Sequence, residues 1–244
     1  MKPQNYVQLL THTLPAPPLT TPLLNLLKVN IIRDFLEDLV DGRAYWPASI
    51  TRRYVPSLAA LRPEPGVAPS NESLACLNEM VADALALAPT SLAYLAALSS
   101  PAVFAFCAIP QVMAIETLAA LTNNSLVFTG VVKIRKGRAL VLMRDVGGID
   151  GRAAVAEIFA NATRAIVAAV PQRHTAARAL LAPAAARIAT LCVVLRPPST
   201  PRSSLIKGNM FDHELVRQVL IILLGLLLIF AVGAILTTRH ILHV

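Results

Sequence analysis

Residues 219–236, VLIILLGLLLIFAVGAIL, contain no charged or strongly polar side chain, and this run constrains the fold of the 244-residue chain most. At about 1.5 Å per residue, a helix of that length nearly crosses the roughly 30 Å hydrocarbon core of a bilayer, and Thr237 and Thr238 extend it. Arg217 and Arg239 flank it at headgroup depth. The alternative for such a run is a buried core helix. Only six residues follow Thr238, so the position predicts a tail anchor that inserts after translation, leaving the body on the cytosolic side. The chain divides accordingly. Residues 1–22 are an irregular leader rich in Pro and Thr, 23–194 a folded body, 195–215 a Pro- and Ser-rich linker and 216–238 the anchor.

The body reads as all-α, because no run alternates with the period of a strand while apolar residues recur at helical spacing. A helix is expected from Leu23 to about Asp41. RPEPGVAPS (62–70), with three prolines and a glycine, is a loop. Asn71 is placed to cap a helix over roughly 72–88, with Glu72 in its first turn. Pro101 opens another helix after Ser99 and Ser100. Further helices are expected near 131–146, 151–170 and 174–195, the last bent at Pro183. Cys76, Cys107 and Cys192 are far apart and lack CxxC spacing, which disfavours disulfides or a zinc knuckle and implies a reducing compartment. The net charge of +8 favours anionic partners. Aromatics at 5% leave no platform for stacking bases and no nucleic-acid motif occurs, so nucleic acid is not expected.

Within NIIRDFLEDLVDGRAYWP (30–47) the basic chain gathers Asp34, Glu37, Asp38 and Asp41 into eight residues. On a helix Asn30, Asp34 and Asp38 share one stripe, and two carboxylates with an amide oxygen at that spacing suit Mg²⁺ shared with a substrate diphosphate. Arg33 and Glu37 form a second i, i+4 pair. A solvated acidic face is the ordinary alternative. Against it, Ile31, Ile32, Phe35 and Leu36 surround the acids, which implies a mostly buried helix whose carboxylates need cations. Downstream, Lys133, Arg135, Lys136 and Arg138 fall within six residues. Such a cluster is either a solvated face or a phosphate contact, and the absence of GxGxxG removes a Rossmann site. FAFCAIPQVMAIETLA (104–119) reads as a buried helix with Pro110 in its interior, where a kink would shape a pocket wall. His12, His174, His213, His240 and His243 fall in segments expected to be mobile or membrane-proximal, and none is assigned a role.

NIIRDFLEDLVDGRAYWP resembles the second aspartate-rich motif of the squalene synthase family. FAFCAIPQVMAIETLA and NNSLVFTGVVKIRKGRA (123–139) resemble two further signatures of that family, in its order. Phytoene synthases share the acidic motif and the all-α fold but lack the last two blocks. The resemblance implies a partial isoprenoid-synthase-type helical fold followed by the transmembrane helix, tail-anchored in the endoplasmic reticulum membrane. It also implies Mg-dependent head-to-head joining of two farnesyl diphosphates to presqualene diphosphate, then NADPH-dependent reduction to squalene. Asp34 and Asp38 would bind Mg²⁺ and diphosphate with Glu37 in support, and Asn30 matches the asparagine ahead of them. Phe104 and Phe106 would line the cavity that shields carbocations, Gln111 matches a cavity-side position, and Lys133 and Arg135 would meet NADPH phosphates. The family carries two aspartate-rich motifs and an upstream catalytic tyrosine. Here DxxED occurs once, the 29 residues before Asn30 hold no acid, and the surroundings of Tyr6 do not match. The chain therefore reads as the C-terminal half, expected to bind diphosphate weakly and to make little squalene by itself. A non-catalytic, tail-anchored remnant serving as a membrane-bound binding partner is the alternative.

Overall fold

The computed structural model describes residues 20–196. The leader up to residue 19, the linker beyond 196, the anchor at 216–238, Tyr6, His12, His213, His240 and His243 lie outside the described residues. Among the described residues there are helices and turns and no strands. We number the helices α1 (Thr20–Arg33), α2 (Phe35–Val40), α3 (Ala48–Thr51), α4 (Asn71–Leu85), α5 (Ala88–Ala97), α6 (Pro101–Leu121), α7 (Lys136–Gly147), α8 (Gly151–Ala169) and α9 (Thr175–Leu195). Short 3₁₀ turns cover Leu58–Leu61 and Ser125–Phe128.

α6 is the hub, packing against α1, α4, α5, α7 and α8, while α9 lies on α4, α5 and α8. The sequence of α6 permits this because Glu116 is its only charged residue. Phe104, Ala108, Val112, Ile115 and Leu118 are all buried in one core with Phe35, Leu77, Leu92 and Phe159. The Ser100 hydroxyl caps α6 by accepting from the Val103 N–H, with Pro101 at the start where its missing donor is harmless. The helix continues through Pro110, which lies on the exposed side. Pro183 is likewise accommodated inside α9. The α7–α8 connection needs a glycine at 151, because a Cβ there would stand 2.1 Å from the Val146 carbonyl oxygen.

Several local expectations are corrected. Ser70, not Asn71, caps α4, its Oγ accepting from the Ser73 N–H at 3.0 Å, while the Asn71 side chain accepts from Arg173. The helix expected to reach residue 88 ends at Leu85, and α5 follows after a two-residue break. Residues 131–135 are non-helical, and α7 begins only at Lys136. His174 is buried at 6% exposure rather than mobile. Its Nδ1 lies 2.8 Å from Nδ2 of Asn78 on α4. Asn78 also accepts from the Asn123 N–H (2.8 Å) and donates to Asn123 Oδ1 (3.0 Å), holding that residue at φ 51° just past α6. Three regions of the body, 78, 123 and 174, thus share one side chain.

Candidate active site

The aspartate-rich segment leaves ideal helix at one residue. Asp34 has φ −90° and ψ 14°, separating α1 from α2, although its N–H still reaches the Asn30 carbonyl at 2.8 Å. The Trp46 indole N–H donates to the Ile31 carbonyl at 3.1 Å, one turn before that break. Arg33 grips Asp34 through two bonds, Nε to Oδ1 at 2.7 Å and Nη2 to Oδ2 at 2.8 Å. The hydrogen bond to Asp34 raises the pKa of the Arg33 guanidinium, against a smaller opposing effect of burial. The expected Arg33–Glu37 pair is therefore replaced by Arg33–Asp34: with Asp34 departing from helical geometry, its carboxylate accepts both N–H bonds from the edge of the adjacent guanidinium. Glu37 is exposed.

α2 ends in a Schellman motif. The Arg43 N–H returns to the Asp38 carbonyl at 2.7 Å and the Gly42 N–H to Leu39 at 3.2 Å, with Gly42 at φ 73°. That reversal carries the Arg43 side chain back over the last turn, where Nε reaches Asp38 Oδ1 at 3.0 Å and Nη2 reaches Asp41 at 2.8 Å. Asp34 and Asp38 are partly buried, their side chains 26% and 16% exposed, so the helix is less enclosed than its apolar neighbours suggest.

Below the acids lies an aromatic cluster. Phe35 packs on Trp46 (4.8 Å between centroids) and edge-on against Phe128 (5.4 Å), and Trp46 lies 6.4 Å from Phe128. Phe128 closes the 3₁₀ turn that leads directly to Lys133 and Arg135, both exposed. The acidic helix and the basic segment therefore share one foundation. Arg138, by contrast, is held by Glu116 of α6. It also borders a cleft of about 560 Å³ between α7 and α8 that Arg144, Asp145 and Glu157 line.

Gln111 is buried between α6 and α1, accepting from Asn25 Nδ2 at 3.2 Å and donating to the Pro22 carbonyl at 3.1 Å. It fixes the helix that ends in the acidic motif onto the hub. Phe104 is buried with the Arg152 guanidinium 4.4 Å from its ring centroid, and Phe106 is half-buried on the same helix. Among the described residues no hydrogen bond or ring contact joins either phenylalanine to α2.

Among the described residues no three His, Cys, Asp or Glu side chains converge on one metal position. Asp34 and Asp38 nevertheless fit Mg²⁺, which is commonly bound by one or two carboxylates plus substrate phosphate and water. Their oxygens are hard donors four residues apart, now bonded by Arg33 and Arg43, and Mg²⁺ would have to share or displace those bonds. Lys133 and Arg135 make no ion pair among the described residues and so suit a phosphate. Arg43, Trp46 and Phe128 escaped the sequence reading. The glycine behind an acidic helix end was the available signal for Arg43, and the long-range ring contacts had none.

Residues 25–138 match the family model described as squalene/phytoene synthase. Curated proteins similar to this chain include squalene synthases. That of Rattus norvegicus is 43% identical over 187 residues, 76% of this chain and 41% of the rat protein. That of Homo sapiens is 52% identical over 120 residues, 48% of this chain and 28% of the human protein. A solved structure of TcSQS with the ligand E5700 aligns at a TM-score of 0.63 and 34% identity, covering 70% of this chain and 50% of that one. The all-helical body thus has the squalene synthase fold, and the chain spans less than half the length of these curated relatives.

Proposed function

We propose that this chain supplies one diphosphate-binding wall of a squalene synthase. The reaction of the whole enzyme would be the joining of two farnesyl diphosphates to presqualene diphosphate and its reduction by NADPH to squalene. The observation that carries this reading is the contact of Phe35 with Phe128, which sets carboxylates suited to a metal and cations suited to phosphate on one aromatic base. Asp34 and Asp38 would hold Mg²⁺ with Glu37 and Asn30 beside them, and Mg²⁺ there would neutralise a leaving diphosphate. Arg33 and Arg43 hold both carboxylates in position through their hydrogen bonds. Lys133 and Arg135 would bind the phosphates of NADPH, which would supply the hydride. Phe104 and Phe106 would wall the hydrocarbon cavity, and Gln111 secures α1 against α6. The run at 219–236 would anchor the protein in the endoplasmic reticulum membrane with the body in the cytosol.

One aspartate-rich motif neutralises a diphosphate incompletely, so weak binding and little squalene are expected of these 244 residues alone. The test is calorimetric titration of the full chain with Mg²⁺ and inorganic pyrophosphate, beside product analysis with farnesyl diphosphate and NADPH. Metal-dependent pyrophosphate binding that Asp34→Asn/Asp38→Asn abolishes supports the reading. Equal binding by the variant overturns it, and no binding by either protein favours the non-catalytic membrane partner.

A further inference from the structure

Three stretches of the body, 71–97, α6 and α9, are long and apolar enough to cross a membrane by length and composition. The first two are 56% and 44% buried over their most apolar windows, but α9 only 28%. Leu181, Ile188 and Cys192 face α9's neighbours, whereas Ala179, Ala182, Pro183, Ala186 and Val193 are exposed on the opposite side. At about 100° per residue, Arg178 and Arg196 border that outer face on one edge and Arg187 on the other. Arg178 is committed to the Val167 and Val170 carbonyls, while Arg187 and Arg196 are exposed. The charge is one-sided well beyond the helix. Between Glu157 and Asp212 the chain has six arginines, one lysine and no carboxylate, although it has 14 acids in all.

We propose that the outer face of α9 rests on the surface of an anionic lipid bilayer. A helix with an apolar outer face and arginines along both edges can seat that face at the headgroup boundary while guanidinium groups reach lipid phosphates. The exposed side chains are mostly small, so electrostatic attraction carries most of the binding, each arginine near an anionic surface contributing roughly fivefold. Proximity rests on the reading of 219–236 as an anchor. A tether from the body to that anchor would raise the effective concentration of the face at the membrane.

The test uses the full chain carrying Ala186→Trp, an exposed site, with vesicles containing brominated phosphatidylcholine and either no anionic lipid or about 30% phosphatidylserine. The native Trp46, 6% exposed, provides the internal reference in the parent protein. The expected result is quenching of the added tryptophan in anionic vesicles only, with relief by high salt and at least a roughly tenfold weaker response in Arg187→Glu/Arg196→Glu. Flotation after carbonate extraction reports anchor insertion separately. Insertion without quenching overturns the proposal, as does quenching that ignores lipid charge and both arginines. If carbonate releases the chain, the anchor reading fails, and salt-sensitive quenching on anionic vesicles still upholds the face. A response to added RNA but not to lipid would overturn the proposal in favour of a nucleic-acid partner.

Discussion

Phe35 and Phe128 meet edge to face at 5.4 Å, and through this contact the aspartate-rich helix is fixed to the segment bearing the basic cluster. Both rings are fully buried. Emptying such a site costs about 3–5 kcal/mol through lost transfer energy and the cavity left behind. Phe128→Ala is expected to destabilise the body by that amount, and Phe128→Leu by less than half of it because most of the volume remains. Urea unfolding followed by circular dichroism measures both. A loss below about 1 kcal/mol for the alanine variant would show that the two segments are held by other contacts.

Gly42 is the second joint of the site. Nothing lies within 4 Å of a Cβ built at this position, so the penalty for a side chain comes only from its φ of 73°. Gly42→Ala is expected to cost about 1–2 kcal/mol. The same change should unwind the reversal that returns Arg43 to Asp38. Gly42→Asn, which tolerates this conformation, should retain most of the stability. Thermal unfolding of the three proteins gives the order Gly, Asn, Ala.

Periodicity and proline placement revealed α1–α2, α6, α8 and α9, because those segments carry clean helical spacing or a Ser-Pro start. α5 was hidden because Pro89 looks like a breaker in isolation and sits harmlessly in the first turn of a new helix. Residues 131–135 are expected from the sequence to open a helix and do not, since Val131, Val132 and Ile134 are β-branched and suit extended backbone. The acids and the basic cluster were visible as chemistry, but their common base was not. Phe35 and Phe128 are 93 positions apart, and no local pattern pairs them. His174 misled for the same reason: its surroundings in the chain are polar, whereas its partner, Asn78, comes from α4.

Asp34 and Asp38 are expected to matter far more for ligand than for fold. The Arg33–Asp34 pair is partly exposed and solvent-screened, so Asp34→Asn should change stability by about 1 kcal/mol or less. The same substitution removes a charged oxygen donor from the proposed metal position and should weaken Mg-pyrophosphate binding at least about tenfold. Chelating the Mg²⁺ with EDTA should produce the same loss in the parent chain and little further loss in the variant. Calorimetry with and without chelator checks the pair. An Asp34→Asn protein that bound normally in Mg²⁺ would place the metal elsewhere.

His174 should make stability depend on pH. Asn78 Nδ2 already donates to Asn123, so it also donates to His174 Nδ1, which leaves the imidazole proton on Nε2, buried without a partner. A second proton at Nδ1 would face an amide N–H₂ group, and burial, followed by the nearby Arg173 charge, holds the pKa below its ordinary 6.5. The unfolded chain therefore takes up this proton more readily than the folded one. The contribution is complete above pH 6.5 and is lost as pH falls from there through the lowered folded pKa. The melting temperature should drop over that interval. His174→Gln, neutral throughout, should be less stable at neutral pH but show a flatter profile. The other four histidines are common to both proteins, so the difference between their unfolding curves isolates His174. Parallel curves would mean that the buried ring accepts its second proton without cost.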